Sequence, residues 1–234
     1  TDTASLDAAQ EYQTAAGGME KKKDFERTVS ETVQEKLGFQ CGRVFCETYF
    51  NEDAKQDVAS IIRQIIDVYD NRLAHIEWMT ESTRQEARKK LKAITVKVGY
   101  PDEWPQDKLS LVLKSPDQGG VYIDNIMEIL KASQDYSFKT RHDPVDRNEW
   151  GMTPQTVNAY YNPGNNEIVF PAGILQAPFY DPQAEPVANL GGIGAVIGHE
   201  ITHAFDTSGS QYDEKGNLRD WWTAQDKQHF RELA

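Results

Sequence analysis

Two histidines four residues apart, with a glutamate directly after the first, form the most chemically pointed stretch of this sequence: His199-Glu200-Ile201-Thr202-His203. On an α-helix, positions i and i+4 lie one above the other on a single face, so both imidazoles can reach one metal ion. Glu200 follows the first histidine and can stand beside a water on that metal rather than on the metal itself. Zinc lowers the pKa of such a water to about 7, and a neighbouring carboxylate can take its proton as the water attacks a peptide carbonyl. The competing reading of the same residues is a buried helix whose histidines are hydrogen-bonded within a core.

A catalytic zinc takes three protein ligands and keeps one position open. The extended pattern with a glycine three residues past the second histidine and a third histidine six past it fails, because Asp206 and Gly209 occupy those places. The remaining ligand is therefore expected to be a downstream carboxylate. Asp213, Glu214, Asp220, Asp226 and Glu232 follow, and none sits in a recognisable second motif. Asp206 could orient the His203 imidazole and raise its basicity, or could start the next turn. Gly191, Gly192, Gly194 and Gly198 weaken a helix in isolation, so they imply close packing or room for a substrate at its start. A phosphate-cradling loop would need a preceding strand and a Lys-Ser/Thr pair, and neither is present.

The elements that must position these residues follow from periodicity. Thr1 to Gly38 reads as polar helix broken at Gly17-Gly18, with a weak stripe at Leu6, Ala9 and Tyr12 and a better one at Phe25, Val29, Val33 and Leu37. Lys21-Lys22-Lys23 reads as solvated surface. From Asp53 to Ile76, apolar residues at 58, 61, 62, 65, 68, 69, 73 and 76 mark an amphipathic helix, with His75 as a satisfied packing residue. Thr80 or Ser82 can cap a further helix through Leu91, with Glu81 near its positive end. Ile94 to Val98 alternates and closes on Gly99-Tyr-Pro101, as a short strand does. Ser115-Pro-Asp-Gln-Gly-Gly120 is dense in turn formers and is the expected domain boundary. A helix over Asp124 to Lys139 follows. The extended runs Thr156–Tyr161 and Glu167–Phe170, joined by Asn162-Pro-Gly-Asn-Asn166, predict a hairpin, with either inward tyrosines or an edge open to an extended peptide. Trp221 and Trp222 read as core, Asp226 to Leu233 as an amphipathic helix, and His229 as surface.

The 234 residues, 38% hydrophobic and 10% aromatic, can bury a sizeable core. A net charge of -12 argues against nucleic acid and against an anionic membrane surface as partners. No apolar run is long enough to span a bilayer, and the first residues lack the basic-then-apolar pattern of a secretory leader. Cys41 and Cys46, if helical, face different ways and are too far apart to bridge.

Val157-Asn-Ala-Tyr-Tyr-Asn-Pro163, Asn166-Glu-Ile-Val-Phe-Pro-Ala-Gly-Ile-Leu-Gln176 and Gly191 to Asp206 together resemble the neprilysin family of zinc metallopeptidases, the M13 peptidases. The match is dense from Glu149 to Trp222 and thinner upstream, through Gly42-Arg43, Trp78-Met79 and Val98-Gly-Tyr-Pro101. The resemblance implies an α+β, mainly α fold: a zincin-type catalytic half with the H-E-x-x-H helix and a β-hairpin, preceded by a mainly helical domain. It assigns residues 1–118 to the family's covering domain and 119–234 to the first part of the catalytic domain, ending before the third zinc ligand. That ligand is, in the family, a glutamate in a later E-x-x-x-D motif, and family members are longer at both ends. The resemblance further implies one zinc ion on His199 and His203, Glu200 as general base, and Asn158 (side-chain amide) and Ala159 (carbonyl) on the substrate backbone. Ile174, Phe179, Ala195 and Val196 would form an apolar pocket for the residue after the scissile bond, made roomier by Ala195, where some members carry a bulkier residue. The implied partners are peptide substrates of limited size and the remainder of the same polypeptide, and the implied location is extracytoplasmic: secreted, periplasmic or a membrane-anchored ectodomain. An inactive fragment, or a peptide-binding module without a complete metal site, is the alternative.

Overall fold

The computed structural model describes residues 3–17 and 24–233. It divides into two compact units, Thr1–Gly38 and Phe39–Ala234. The first contains helices α1 (Thr3–Gly17) and α2 (Phe25–Lys36). Asp24 starts α2 by accepting the Arg27 amide at 2.7 Å. The expected break falls where α1 ends, at Gly17, while Gly18 and the Lys21-Lys22-Lys23 cluster lie outside the described residues. The stripe of Phe25, Val29 and Val33 forms on α2, yet all three side chains are exposed.

In the second unit the order is α3 (Gly38–Tyr49), α4 (Glu52–Ala74), α5 (Glu81–Lys92), β1 (Thr95–Gly99), α6 (Tyr122–Thr140), β2 (Tyr160–Asn162), β3 (Glu167–Pro171), α7 (Pro186–Gly191), α8 (Ile193–His203) and α9 (Ala224–Leu233). Helix α4 begins where the Asn51 side chain accepts the Ala54 amide at 2.9 Å. Its apolar stripe buries Ala54, Val58, Ile62 and Leu73, whereas Val68, also on the expected stripe, remains exposed. His75 caps the end of α4 at the surface, its Nδ1 2.7 Å from the Asn71 carbonyl oxygen, so it is satisfied but not packed. Cys41 and Cys46 both lie on α3 as free thiols.

The sheet has three strands in the order β1-β3-β2. Strand β3 is central and wholly buried, which fits its unbroken Ile168-Val169-Phe170 run. It pairs in parallel with β1 (Val98 opposite Phe170) and antiparallel with β2 (Tyr161 opposite Ile168). The hairpin closes through Asn166, whose backbone takes the left-handed φ of 48° that asparagine tolerates. Strand β2 is shorter than the expected Thr156–Tyr161, because the chain is still turning at Thr156, whose amide donates to the Thr153 carbonyl.

Ser115 to Gly120 does form a tight turn, with a capping box at Ser115, but compactness does not divide there. Strand β1, before the turn, is hydrogen-bonded to β3, after it, and α4 packs on α8, so both sides share one hydrophobic core.

A polar tie joins the same two sides. Asp226, fully buried in α9, accepts the hydroxyls of Thr80 (2.5 Å), Thr83 (2.5 Å) and Thr223 (2.7 Å) and the Thr80 amide (3.1 Å). Thr80 is the residue capping α5, and its hydroxyl makes its shortest bond to Asp226 rather than to a backbone amide of its own helix. Burial alone would raise the Asp226 carboxyl, but the threonine hydroxyls and the Thr80 amide outweigh it and hold the group down at about 2. A carboxyl lowered by folding stabilises fully above its unfolded value of 3.8, and the contribution is lost as pH falls through the folded value. Asp226→Asn should therefore remove on the order of 2 kcal/mol near pH 7, with the gap to the unsubstituted protein closing between about pH 4 and 2 in urea denaturation. A gap constant over that range would contradict the assignment.

Candidate active site

Helix α8 carries the two histidines, and its placement is set by its other side. Ile193, Ile197 and Ile201, spaced by four, are fully buried, each worth about 1.5–3 kcal/mol against exposure. That stripe turns Ala195 and His199 outward, leaves His203 half-buried, and puts Glu200 at the inner margin, only 6% exposed. The helix enters through Gly192, where a Cβ would stand 2.3 Å from the Phe179 carbonyl oxygen, and that oxygen accepts the Ile193 amide at 2.7 Å. Of the four glycines noted in the sequence, Gly192 meets the close-packing expectation, while Gly191 and Gly198 face open space. From α4, the Tyr69 hydroxyl lies 3.0 Å from the Gly198 carbonyl oxygen and 2.6 Å from the Thr202 hydroxyl, bracing α8 between its two histidines.

The two imidazoles face each other. Their Nε2 atoms are 3.0 Å apart and their rings stand nearly perpendicular, at 87°. Two ligands at 2.0–2.1 Å from a tetrahedral zinc would be about 3.3 Å apart, so this pair needs only a small adjustment to share an ion. Asp206 touches both the His203 ring and the turn that follows. Its Oδ2 lies 2.7 Å from His203 Nδ1, and its Oδ1 accepts the amides of Ser208 (2.8 Å) and Gly209 (2.7 Å), forming the turn after α8. Burial alone would raise this carboxyl, but the Gly209 amide, the His203 ring and the Ser208 amide hold it below the usual range. An ionised carboxylate only accepts, so His203 donates to Asp206 from Nδ1 and turns its Nε2 towards His199. Gly209 is required at its position, since a Cβ there would fall 1.8 Å from the His203 carbonyl oxygen.

Glu200 is pushed above the ordinary carboxylate range by burial, opposed by the charges of His203 and His199 and by the backbone amide of Tyr161. That amide places the edge strand β2 directly beside the carboxylate. Asn158 and Ala159 precede β2. Asn158 is exposed with its Oδ1 on the Ala159 amide at 2.9 Å, and Ala159 is buried. Among the expected pocket residues, Ala195 and Val196 lie one turn before His199 and Glu200 on the same face of α8, and Phe179 is 36% exposed at the helix entrance. Ile174 instead is buried in the hydrophobic core that also holds Ile193 and Ile197.

Each downstream carboxylate has partners away from the histidines. Asp213 accepts the Lys215 and Asn217 amides, Glu214 pairs with Lys89, Asp220 with Lys227, Asp226 with the threonines, and Glu232 accepts from Gln228. Among the described residues no group of three or more His, Cys, Asp or Glu side chains could hold a metal ion.

Two participants carry no sequence motif: Tyr69 and Lys90. Tyr69 was visible only as one of the apolar positions of α4. Lys90 lies on the charged-looking α5, yet it is 1% exposed, with its ammonium donating to the carbonyls of Ala204 (2.7 Å), Gly209 (2.6 Å) and Tyr212 (2.8 Å).

Comparison with known proteins fits this geometry. Two models described as peptidase family M13 match residues 1–101 and 158–234, together most of the chain. This chain belongs to peptidase family M13. It is 44% identical to neutral endopeptidase from Lactococcus lactis over 82% of its own length and 30% of that protein's. It is 42% identical to mouse endothelin-converting enzyme 1 over 87% of its length and 27% of that protein's. The crystal structure of Mycobacterium tuberculosis zinc metalloprotease Zmp1 with an inhibitor superposes with a TM-score of 0.83 at 43% identity, covering 94% of this chain and 32% of that one. The chain thus spans about a third of the length of the relatives it matches.

Replacing a carboxylate that orients a metal-binding imidazole typically weakens metal binding 10–100-fold. Asp206→Ala should lower zinc affinity by about that factor in a competition titration with a chelating dye, and an unchanged affinity would show that Asp206 serves the turn alone.

Proposed function

We propose that this chain carries two of the three zinc ligands and the general base of a zinc-dependent endopeptidase that hydrolyses oligopeptides on the amino side of hydrophobic residues. The observation that carries the reading is the facing pair of Nε2 atoms on His199 and His203, with His203 held by Asp206 and Glu200 one residue along the helix. Zinc bound there would act as a Lewis acid on the scissile carbonyl and on the attacking water. His199 and His203 would hold it, and a third ligand would come from the part of the polypeptide past Ala234.

Glu200 is suited to accept the proton of the attacking water and deliver it to the leaving amine. Its carboxyl is raised by burial towards the working pH, where a base also functions as an acid in the following step. Strand β2 lies at the sheet edge, where an extended peptide can add its own hydrogen bonds. The Asn158 amide and the Ala159 carbonyl would hold the substrate backbone just before that strand. Phe179, Ala195 and Val196 would face the residue after the scissile bond, with Ile174 supporting them from the core. The family's character favours an extracytoplasmic setting, and among the described residues no helix is long and apolar enough to cross a membrane.

A second reading applies to residues 1–234 taken alone: a peptide-docking piece without working metal chemistry. It is favoured by the lack of any described group of three or more ligand-type side chains. Zinc content and peptidase activity, with and without a chelator, separate the two readings when measured on this chain and on a polypeptide extended past Ala234. Activity is expected only in the longer form and only without chelator.

In that longer form Glu200→Gln should abolish turnover while leaving zinc affinity unchanged, and retained turnover would refute the role of Glu200. In a peptide library, large aromatic residues after the scissile bond should be cleaved at least as well as leucine. Rejection of them would count against a pocket widened at Ala195.

A further inference from the structure

We infer that Lys90 is a positioning residue of the candidate site: its ammonium locks the turn that presents Asp206 to His203. An ammonium has three donors, and here all three are taken by carbonyls of the single segment that follows α8, those of Ala204, Gly209 and Tyr212. These span the residues on either side of Asp206. Burying a lysine is unfavourable unless its charge is met, and a methionine would fill similar space without that requirement. Charge is what this position uses, and every hydrogen bond of the ammonium falls on the turn.

The opposite wall of the site meets the same residue. The Lys90 backbone carbonyl accepts from Asn166 Nδ2 at 3.1 Å, Asn166 Oδ1 accepts the Tyr161 hydroxyl at 2.9 Å, and the Tyr161 amide is near enough to Glu200 to favour its ionised form. The Tyr161 and Phe205 rings flank the ammonium, with centroids 5.8 and 5.9 Å away. One residue of α5 therefore fixes both the turn behind His203 and the strand beside Glu200. Without the ammonium, the Ala204 carbonyl loses its donor, those of Gly209 and Tyr212 are left with the Tyr212 amide and the Trp221 indole alone, the tie between the two ends of the turn is lost, and Asp206 no longer selects the Nδ1-protonated form of His203.

The inference rests on the proposed metal role of His203, and its test separates the two. Lys90→Met and Lys90→Gln are compared with the unsubstituted chain, and Asp226→Asn serves as a control that loosens the fold away from the turn. The readouts are the ¹⁵N signals of the His203 ring without metal, and zinc affinity by dye competition. Lys90→Met should lose the fixed Nδ1–H form and bind zinc at least about tenfold more weakly, Lys90→Gln should show a smaller loss, and Asp226→Asn should change neither. Unaltered His203 signals in a folded Lys90 variant, or the same loss in Asp226→Asn, would overturn the inference. Failure of both Lys90 variants to fold while Asp226→Asn folds would also overturn it, assigning Lys90 to stability alone. An unsubstituted chain that binds no zinc, by itself or extended past Ala234, would instead defeat the proposed function, while the ring signals would still decide the part played by Lys90.

Discussion

The orientation of one helix decides everything at this site, and an apolar stripe decides the orientation. Ile193, Ile197 and Ile201 occupy one side of α8 and are completely buried in the core shared with α4 and β3. With that side fixed, the i and i+4 geometry leaves His199 and His203 little choice but to project together on the opposite side. The Tyr69 hydroxyl on the Gly198 carbonyl and the Phe179 carbonyl on the Ile193 amide fix the helix along its axis as well as about it. Precision at a functional centre is thus inherited from ordinary hydrophobic packing.

Charged groups taken into this interior are each met by specific partners. Lys90 meets three carbonyls, Asp226 three threonine hydroxyls, and Glu167 the Lys97 ammonium at 2.7 Å together with the Asn162 and Asn165 amides. Unmet, each would cost several kcal/mol. Glu200 differs, because among the described residues its burial outweighs the Tyr161 amide and the neighbouring imidazoles, and its carboxyl is driven upward. A buried acid left with so few donors is an unfavourable arrangement for stability and a useful one for proton transfer.

Much of this was legible in the residue pattern. Periodicity located α4, α5, α6 and α9 to within a few residues, the turn-rich Asn162–Asn166 run marked the hairpin, and the five-residue motif marked the histidines. What the pattern could not convey was long-range pairing. Nothing in Thr95–Gly99 announces that it will run parallel to a strand seventy residues later and join the two sides of the Ser115–Gly120 turn. Lys90 sits in a run of lysines and arginines that reads as solvated surface, and only the tertiary fold distinguishes it from Lys89 and Lys92 beside it. The stripe on α2 shows the opposite case, apolar periodicity correctly read as helix but uncovered among the described residues.

The parallel pairing of β1 with β3 has a further consequence for durability. Residues 112–119 are exposed and offer a protease an accessible stretch in the middle of the chain. A nick there would sever the covalent link between α5 and α8, yet the β1–β3 ladder, the grip of Thr80 and Thr83 on Asp226, and Lys90 on the Ala204–Tyr212 segment all cross the break. The molecule is in effect laced shut across its own weakest point, and a two-piece form would keep the histidine pair in register.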